Sequence, residues 1–157
     1  MLSSYQAFIF GQNHIKMQNY LCAFSTAFII IQFSFSQNAQ LEIEISGISE
    51  IKGKIQIAIF NESVLFPEKG KAYGVEYFDV NAQVMQVLIA DLPYNGYGIV
   101  LFHDLNSDKV CNLNFMGIPK ESYGFSNNVK PMLKAPSFES TKVNLNTNKK
   151  INIQLLD

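Results

Sequence analysis

The stretch HDLNSDKVCN carries the side chains with the clearest potential for chemistry. Side chains that can present an oxygen stand at alternate positions, at Asp104, Asn106 and Asp108. A calcium loop takes side-chain oxygens from its first, third and fifth positions, a backbone carbonyl from its seventh and a further ligand from its ninth. Val110 would supply that carbonyl and Asn112 the further ligand, so the spacing predicts a calcium site. The alternative is a series of Asx turns, in which each side chain accepts a hydrogen bond from a nearby backbone amide.

Two positions of this stretch depart from the calcium-loop pattern. Lys109 takes the sixth position, where the sharp turn prefers glycine, and Phe115 takes the twelfth, where a bidentate glutamate is usual. Glu121 would supply the missing carboxylate if the chain folded back over the loop. A calcium-stabilised domain and a loop of Asx turns therefore both remain open.

A second candidate chemistry is catalysis around His103. A cysteine and a histidine within hydrogen-bond reach can act as nucleophile and base, and Cys111 follows His103 in the same stretch. Glu121 is the other candidate partner of His103 in a hydrolase. The spacing does not bring these side chains together, and a histidine at a strand end is commonly a hydrogen-bonded structural residue.

The next stretch, MGIPKESYGFSNN, has the composition of a loop that packs on itself. Glycine and proline favour turns, and serine and asparagine side chains can satisfy backbone groups. The alternative is a binding surface with Tyr123 and Phe125 as contacts and Glu121 as its polar group. His103 and Asn127 complete this candidate binding set.

Strands must position these residues, and the hydrophobic pattern predicts seven of them. They are QLEIEIS, KIQIAIFN, VEYFDV, QVMQVLIADL, YGIVLFH, STKVNLN and KINIQLL. Most alternate apolar and polar residues, and no stretch keeps helical periodicity over three turns. We therefore predict an all-β fold, an antiparallel sandwich of about seven strands, with a closed barrel as the alternative.

Three details of this pattern bear on the site. KIQIAIFN is apolar on its second face too, at Ala58 and Phe60, and YGIVLFH carries Val100 and Phe102 opposite its main apolar face. The pair Thr147-Asn148 is predicted to be the tip of a hairpin between the last two strands. Residues 104–138 form one long ordered loop, and loops of such length are commonly functional or self-packed.

The composition excludes some partners. All 12 basic residues are lysine and the formal net charge is -1, so the chain lacks the arginine forks and the positive charge typical of nucleic-acid binding. We expect no nucleic-acid partner.

The N-terminal part predicts export. The apolar run LCAFSTAFIIIQFSF is followed by Ser36, and small residues at Ser34 and Ser36 suit a signal-peptide cleavage site. The run is shorter than the roughly 20 residues of a membrane-spanning helix, although an uncleaved anchor is the alternative. We expect a signal peptide at 1–36 and a mature domain at 37–157. That domain would be extracytoplasmic, either periplasmic or secreted, with no membrane span.

The stretch LPYNGYGIVLFHDLNSDKVCNLNFMGIPKESYGFSNN resembles the bacterial domain of unknown function 2141 family. That family reads L-P-x-G-x-Y, then H-D-x-N-x-D-G-x-L-D, then N-x-x-G-x-P-x-E-G-x-G-F-S-N-N. The matching residues are Leu92, Pro93, Gly96, Tyr97, His103, Asp104, Asn106, Asp108, Asn114, Gly117, Pro119, Glu121, Gly124, Phe125, Ser126, Asn127 and Asn128. Lys109, Asn112 and Ser122 depart from the pattern. The resemblance implies a single exported β-sandwich domain of immunoglobulin or prealbumin type and implies no activity.

The residues together favour a non-enzymatic module whose 103–128 stretch serves as a structural or binding element. Its expected partner is an extracytoplasmic protein or a small ligand. A calcium-stabilised domain and a hydrolase around His103 and Glu121 are the alternatives.

Overall fold

The computed structural model describes residues 37–115, 119–132 and 134–157, which all belong to one unit of the chain, residues 36–157. The predicted signal peptide lies outside these described residues. The strands are β1 (Asn38–Ser46), β2 (Lys54–Phe60), β3 (Gly74–Asp79), β4 (Met85–Pro93), β5 (Asn95–Asp104), β6 (Tyr123–Phe125), β7 (Val143–Leu145) and β8 (Lys149–Gln154). Two 3-10 turns (Ser63–Leu65 and Ser126–Asn128) and a short helix α1 (Phe138–Thr141) complete the described elements.

The strands form two sheets, so the prediction of an all-β sandwich is confirmed. One sheet has the order β4-β1-β8, and the other has the order β3-β2-β5-β6 with β7 also paired to β5. The described pairings are antiparallel except that of β1 with β8, which is parallel. The count is eight rather than about seven because β6 forms inside the predicted long loop.

The predicted hairpin at Thr147-Asn148 is wrong. β7 pairs with β5 in the larger sheet, whereas β8 pairs with β1 in the smaller one, so the connection crosses between sheets. The side chain of Asn148 secures this crossing, because its Oδ1 accepts a hydrogen bond of 2.9 Å from the amide of Gln40. Alternation of apolar residues identifies the buried face of a strand but not its partner.

The core lies between the two sheets and is built from the inward residues of the alternating strands. Its fully buried members include Leu41, Ile43, Ile45, Ile55, Ile57, Ile59, Ile99, Leu101, Leu145 and Ile153. The sheets also meet along one edge, where the amide of Tyr123 donates to the carbonyl of Leu156 (2.9 Å) and the amide of Leu156 donates in return (2.7 Å). This contact fixes β6 against the end of β8.

A buried tyrosine ties the turn between β4 and β5. The hydroxyl of Tyr97, which is 1% exposed, donates a hydrogen bond of 2.7 Å to the carbonyl of Pro93. Burial raises the pKa of Tyr97, and the neighbouring Tyr73 raises it further. The folded protein therefore favours the neutral phenol.

Tyr97→Phe is expected to lower the free energy of unfolding by about 1 kcal/mol near neutral pH, since one buried hydrogen bond is lost. The raised pKa also means that Tyr97 contributes stability at low pH that is lost as the pH rises above 10.0, its ordinary pKa. Above pH 10.0, the free energy of unfolding of Tyr97→Phe should therefore fall less than that of the parent protein. Urea unfolding on both sides of that pH measures this, with the exposed Tyr94→Phe as control. Identical alkaline losses in parent and variant would contradict the assignment.

Candidate functional site

The loop that follows β5 is held by its own side chains. Asp104 is fully buried, and its two carboxylate oxygens accept the amides of Asp108 (3.1 Å) and Lys109 (2.8 Å). The Asn106 Oδ1 atom also accepts the amide of Asp108 (3.2 Å), and Asp108 Oδ1 accepts the amide of Val110 (2.7 Å). Each of these is a side-chain oxygen bonded to a backbone amide a few residues later, as in an Asx turn.

The last residue of the candidate calcium loop closes the same network. The side-chain amide of Asn112 donates to Asp108 Oδ2 (3.1 Å) and to the carbonyl of Val110 (3.2 Å). The hydrogen bond from Asn112 lowers the pKa of Asp108 most, followed by those from the amide of Val110 and the side chain of Asn106. The loop therefore favours the ionised carboxylate of Asp108.

Of the oxygens predicted to bind calcium, those of Asp104, Asn106, Asp108 and Val110 accept hydrogen bonds from within the loop, which is the geometry of the Asx-turn interpretation. Lys109, at the position where a calcium loop prefers glycine, has a φ of 62°, a left-handed conformation that glycine adopts with less strain. No group of three or more histidine, cysteine, aspartate or glutamate side chains that could hold a metal occurs among the described residues. Calcium binding by this loop stays a prediction.

Asn112→Ala is expected to raise the pKa of Asp108 back toward its ordinary value of 3.8, because the largest stabilising contact of the carboxylate is removed. Since the folded pKa is lowered, the carboxylate supports the loop above pH 3.8 and this support is lost as the pH falls through the lower folded value. A carboxyl-detected NMR titration measures both values. Asn146→Ala, on the exposed residue after β7, is the control, and an unchanged Asp108 titration in Asn112→Ala would contradict the network.

Glu121 fastens the far end of the loop to its beginning. It is buried, and its oxygens accept the amides of Leu105 (3.2 Å) and Asn112 (3.3 Å). The chain does fold back so that Glu121 lies against the loop. Its carboxylate is directed at backbone amides, however, and not at an outer binding surface.

His103 and Cys111 lie apart. His103 is fully buried on the inward side of β5, and its Nε2 lies 2.8 Å from the carbonyl of Lys52. A carbonyl can only accept, so Nε2 donates the hydrogen of this contact, and Nδ1 has no partner among the described residues. Cys111 is half-buried on the outward side. Its thiol pKa is raised by burial and by the charge of Glu121, which favours the protonated form over a nucleophilic thiolate.

The outward face of the larger sheet is apolar. Two rows of side chains run across β3, β2, β5 and β6 in register: Val75, Ala58, Val100 and Phe125 form the first, and Tyr77, Gln56, Phe102 and Tyr123 form the second. The outward face of an antiparallel sheet is commonly polar because it meets water. Here Gln56 is the one residue of these two rows that is neither aliphatic nor aromatic.

Loops border this face of the sheet, and together they form a groove with a volume of about 620 Å³. Its walls come from three loop segments and one further proline: Pro67, Glu68, Lys69, Gly70 and Ala72; Lys109, Cys111 and Leu113; Pro131, Met132, Lys134 and Ala135; and Pro119. An aromatic cluster lies at the Phe60 end, where Phe60 packs edge-on against Phe66 and Phe66 against Phe138. Gly98 permits this packing, because a Cβ there would lie 2.9 Å from Phe66 and 3.0 Å from Phe138.

Apolar side chains on the walls are left exposed. Met132 is 94% exposed and Leu113 is 54% exposed, and both line the groove. Contiguous exposed apolar surface on a small domain commonly marks a site that binds a ligand or a partner. The groove is therefore the strongest candidate site in the described part of the chain.

The structure brings together only part of the predicted binding set. Tyr123 and Phe125 line the groove, whereas His103 and Glu121 are buried elsewhere. The side-chain amide of Asn127 donates to the carbonyls of Ser140 (3.0 Å) and Lys142 (3.2 Å), which anchors the 3-10 turn to α1. The outward residues of β2 and β5, which form the floor of the groove, were not predicted to belong to a site. The apolar second faces of these two strands were the feature of the sequence that indicated them.

The protein is a small two-sheet β-sandwich domain with an apolar groove on the outward face of its larger sheet. The chain belongs to the bacterial family described as an uncharacterised protein conserved in bacteria, domain of unknown function 2141, whose model matches residues 43–154. Neither a curated protein nor a solved structure gives a significant match. None of the described helices has the length and apolar character needed to cross a membrane.

Proposed function

We propose that this protein is an extracytoplasmic binding module that holds a small organic ligand in the groove of its larger sheet. The observation that carries the proposal is the pair of apolar rows on a sheet face that is open to solvent between loops. The export signal predicted for residues 1–36 supports the extracytoplasmic location.

The size and the lining of the groove suit this role. Small-molecule sites are commonly concave, mostly apolar and about 300–1,000 Å³ in volume, and the groove has about 620 Å³. Its floor consists of β-strands held together by backbone pairing. The loop that supplies Lys109, Cys111 and Leu113 to the wall is fastened at both ends by the buried carboxylates of Asp104 and Glu121. A prearranged site loses less conformational entropy on binding.

Binding of a neutral apolar dye tests the proposal. N-phenyl-1-naphthylamine, whose fluorescence rises in an apolar environment, is expected to bind the purified protein saturably with one site per chain. The bound dye should also slow alkylation of Cys111, which lines the groove, as followed on the corresponding peptide by mass spectrometry. A fluorescence rise that does not saturate, or alkylation of Cys111 unaffected by the dye, would overturn the proposal.

A further inference from the structure

The charges around the groove are unbalanced. Among its described lining residues, four are charged: Lys69, Lys109, Lys134 and Glu68. Three cations against one anion make the groove locally positive, although the formal net charge of the whole chain is -1. A concave site lined by one sign of charge concentrates ligands of the opposite sign.

These three lysines do not form ion pairs within the described part of the chain, where the paired lysines are Lys52, Lys54, Lys142 and Lys150. The ammonium group of Lys109 lies 5.4 Å from the ring centroid of Tyr77, at the edge of the second row.

Apart from Glu68, which lines the groove, two carboxylates of the neighbouring loop are engaged elsewhere. Asp108, which senses the charge of Lys69, accepts three hydrogen bonds within its loop. Glu121 accepts two backbone amides. The lysine ammonium groups are thus available to an anion from outside the chain.

The floor of the groove is elongated. Its first row spans four strands, and neighbouring strands lie about 4.8 Å apart, so that row is about 14 Å long. Gln56, Phe102 and Tyr123 of the second row lie beside it in the groove. The two rows are separated by two residues along each strand, which is about 7 Å. Such a floor suits one extended apolar chain. Its polar groups are the hydroxyl of Tyr123 and the amide of Gln56, whose oxygen is buried and without a partner among the described residues.

We propose that the ligand is a single-chain amphiphile with an elongated apolar body and one anionic head group, of the fatty-acid type. This inference rests on the proposed function and adds the chemical class of the ligand. The apolar rows bind the body of the ligand by removing it from water. Lys69, Lys109 and Lys134 bind the head group at the rim.

Three probes of equal chain length test this inference by isothermal titration calorimetry below their micelle concentrations. They are dodecanoate, dodecanol and dodecyltrimethylammonium, whose head groups are anionic, neutral and cationic. We expect dodecanoate to bind about tenfold or more tightly than dodecanol, with the cation weakest, and the difference to shrink at high salt. Equal binding of dodecanoate and dodecanol would overturn the inference and leave the proposed function standing.

Two further outcomes have separate meanings. If none of the three probes binds, the single-chain ligand is wrong, and the dye titration described above decides whether the proposed function stands. If the protein cosediments with anionic phospholipid vesicles and yet does not bind dodecanoate, the positive surface recognises a membrane and the single-chain ligand is wrong.

A triple variant assigns the head-group site. Replacement of Lys69, Lys109 and Lys134 by glutamine should weaken dodecanoate binding about tenfold more than it weakens dodecanol binding. The matched control replaces Lys52, Lys149 and Lys150, which changes the net charge equally at exposed positions that do not line the groove. Equal losses in the two triple variants would show that only net charge matters and would overturn the assignment.

Discussion

Asp104→Ala is expected to lower the free energy of unfolding by about 3 kcal/mol and to loosen the loop after β5. The carboxylate is fully buried and accepts the amides of Asp108 and Lys109. A hydrogen bond to a charged group contributes about 1.5–3 kcal/mol to stability. Two such bonds would be lost, and water that enters the opened loop would restore part of the lost stabilisation. The groove wall at Lys109 would lose its support at the same time.

Urea unfolding of Asp104→Ala against the parent measures this loss, once with excess chelator and once with added calcium. Asp79→Ala removes the same charge from an exposed side chain that pairs with Lys54, and it should cost less than about 1 kcal/mol. We expect Asp104→Ala to lower the free energy of unfolding even in the presence of chelator, because amides of the loop, and not a calcium ion, satisfy the carboxylate. A loss that appears only with calcium would instead make the loop a calcium site.

Ala58→Phe is expected to weaken ligand binding by about a hundredfold, or roughly 2.7 kcal/mol, and to leave the fold intact. Ala58 lies at the centre of the first apolar row, with Val75 on one side and Val100 on the other. A phenyl ring there would occupy the space that the ligand needs. Phenylalanine is favoured in strands, and the outward position does not disturb the packing between the sheets.

The matched control is Ala90→Phe, the same substitution on an exposed position of β4 in the other sheet. Both variants are titrated with N-phenyl-1-naphthylamine and dodecanoate, and thermal melts of both check the fold. Binding that survives Ala58→Phe, or that is lost equally in Ala90→Phe, would place the ligand outside the groove.

Local pattern predicted much of this fold. Alternating stretches such as QLEIEIS and KINIQLL indicated strands and their buried faces, because the period of a strand is two residues. β6 was missed since Tyr123–Phe125 is too short to show a period, and it is a strand only through its pairing with β5. The parallel pairing of β1 with β8 was beyond local pattern because it joins the two ends of the domain.

The sequence identified the polar side chains of the loop, but it did not show whether they bind a cation or form Asx turns. Alternate oxygens at Asp104, Asn106 and Asp108 fit a cation site and a set of Asx turns equally, and only hydrogen-bond geometry separates these patterns. The close approach of Gly53 was also invisible to the sequence analysis. Its φ is 69°, and a Cβ there would clash with the carbonyl of Asp104, so this glycine helps to position the loop from a distant strand connection.

The sequence indicated the apolar strand faces of the groove but not how they come together. Apolar residues on both faces of β2 and β5, such as Ala58 and Val100, indicated that the outward face was not simply exposed to water. Which of these residues become neighbours depends on the register of four strands, and register is a long-range property. The lysines of the walls come from three separate loops, so no local motif joins them.

An NMR titration of the purified, ¹⁵N-labelled protein with dodecanoate tests most directly whether the groove binds the ligand. We expect saturable shifts of amide signals at Ala58, Val100 and Phe125, which share one row across the larger sheet. Leu88, on the outward face of the other sheet, should not shift. Shifts centred on Leu88 and its neighbours, or none up to millimolar dodecanoate, would contradict the assignment of the groove as the ligand site.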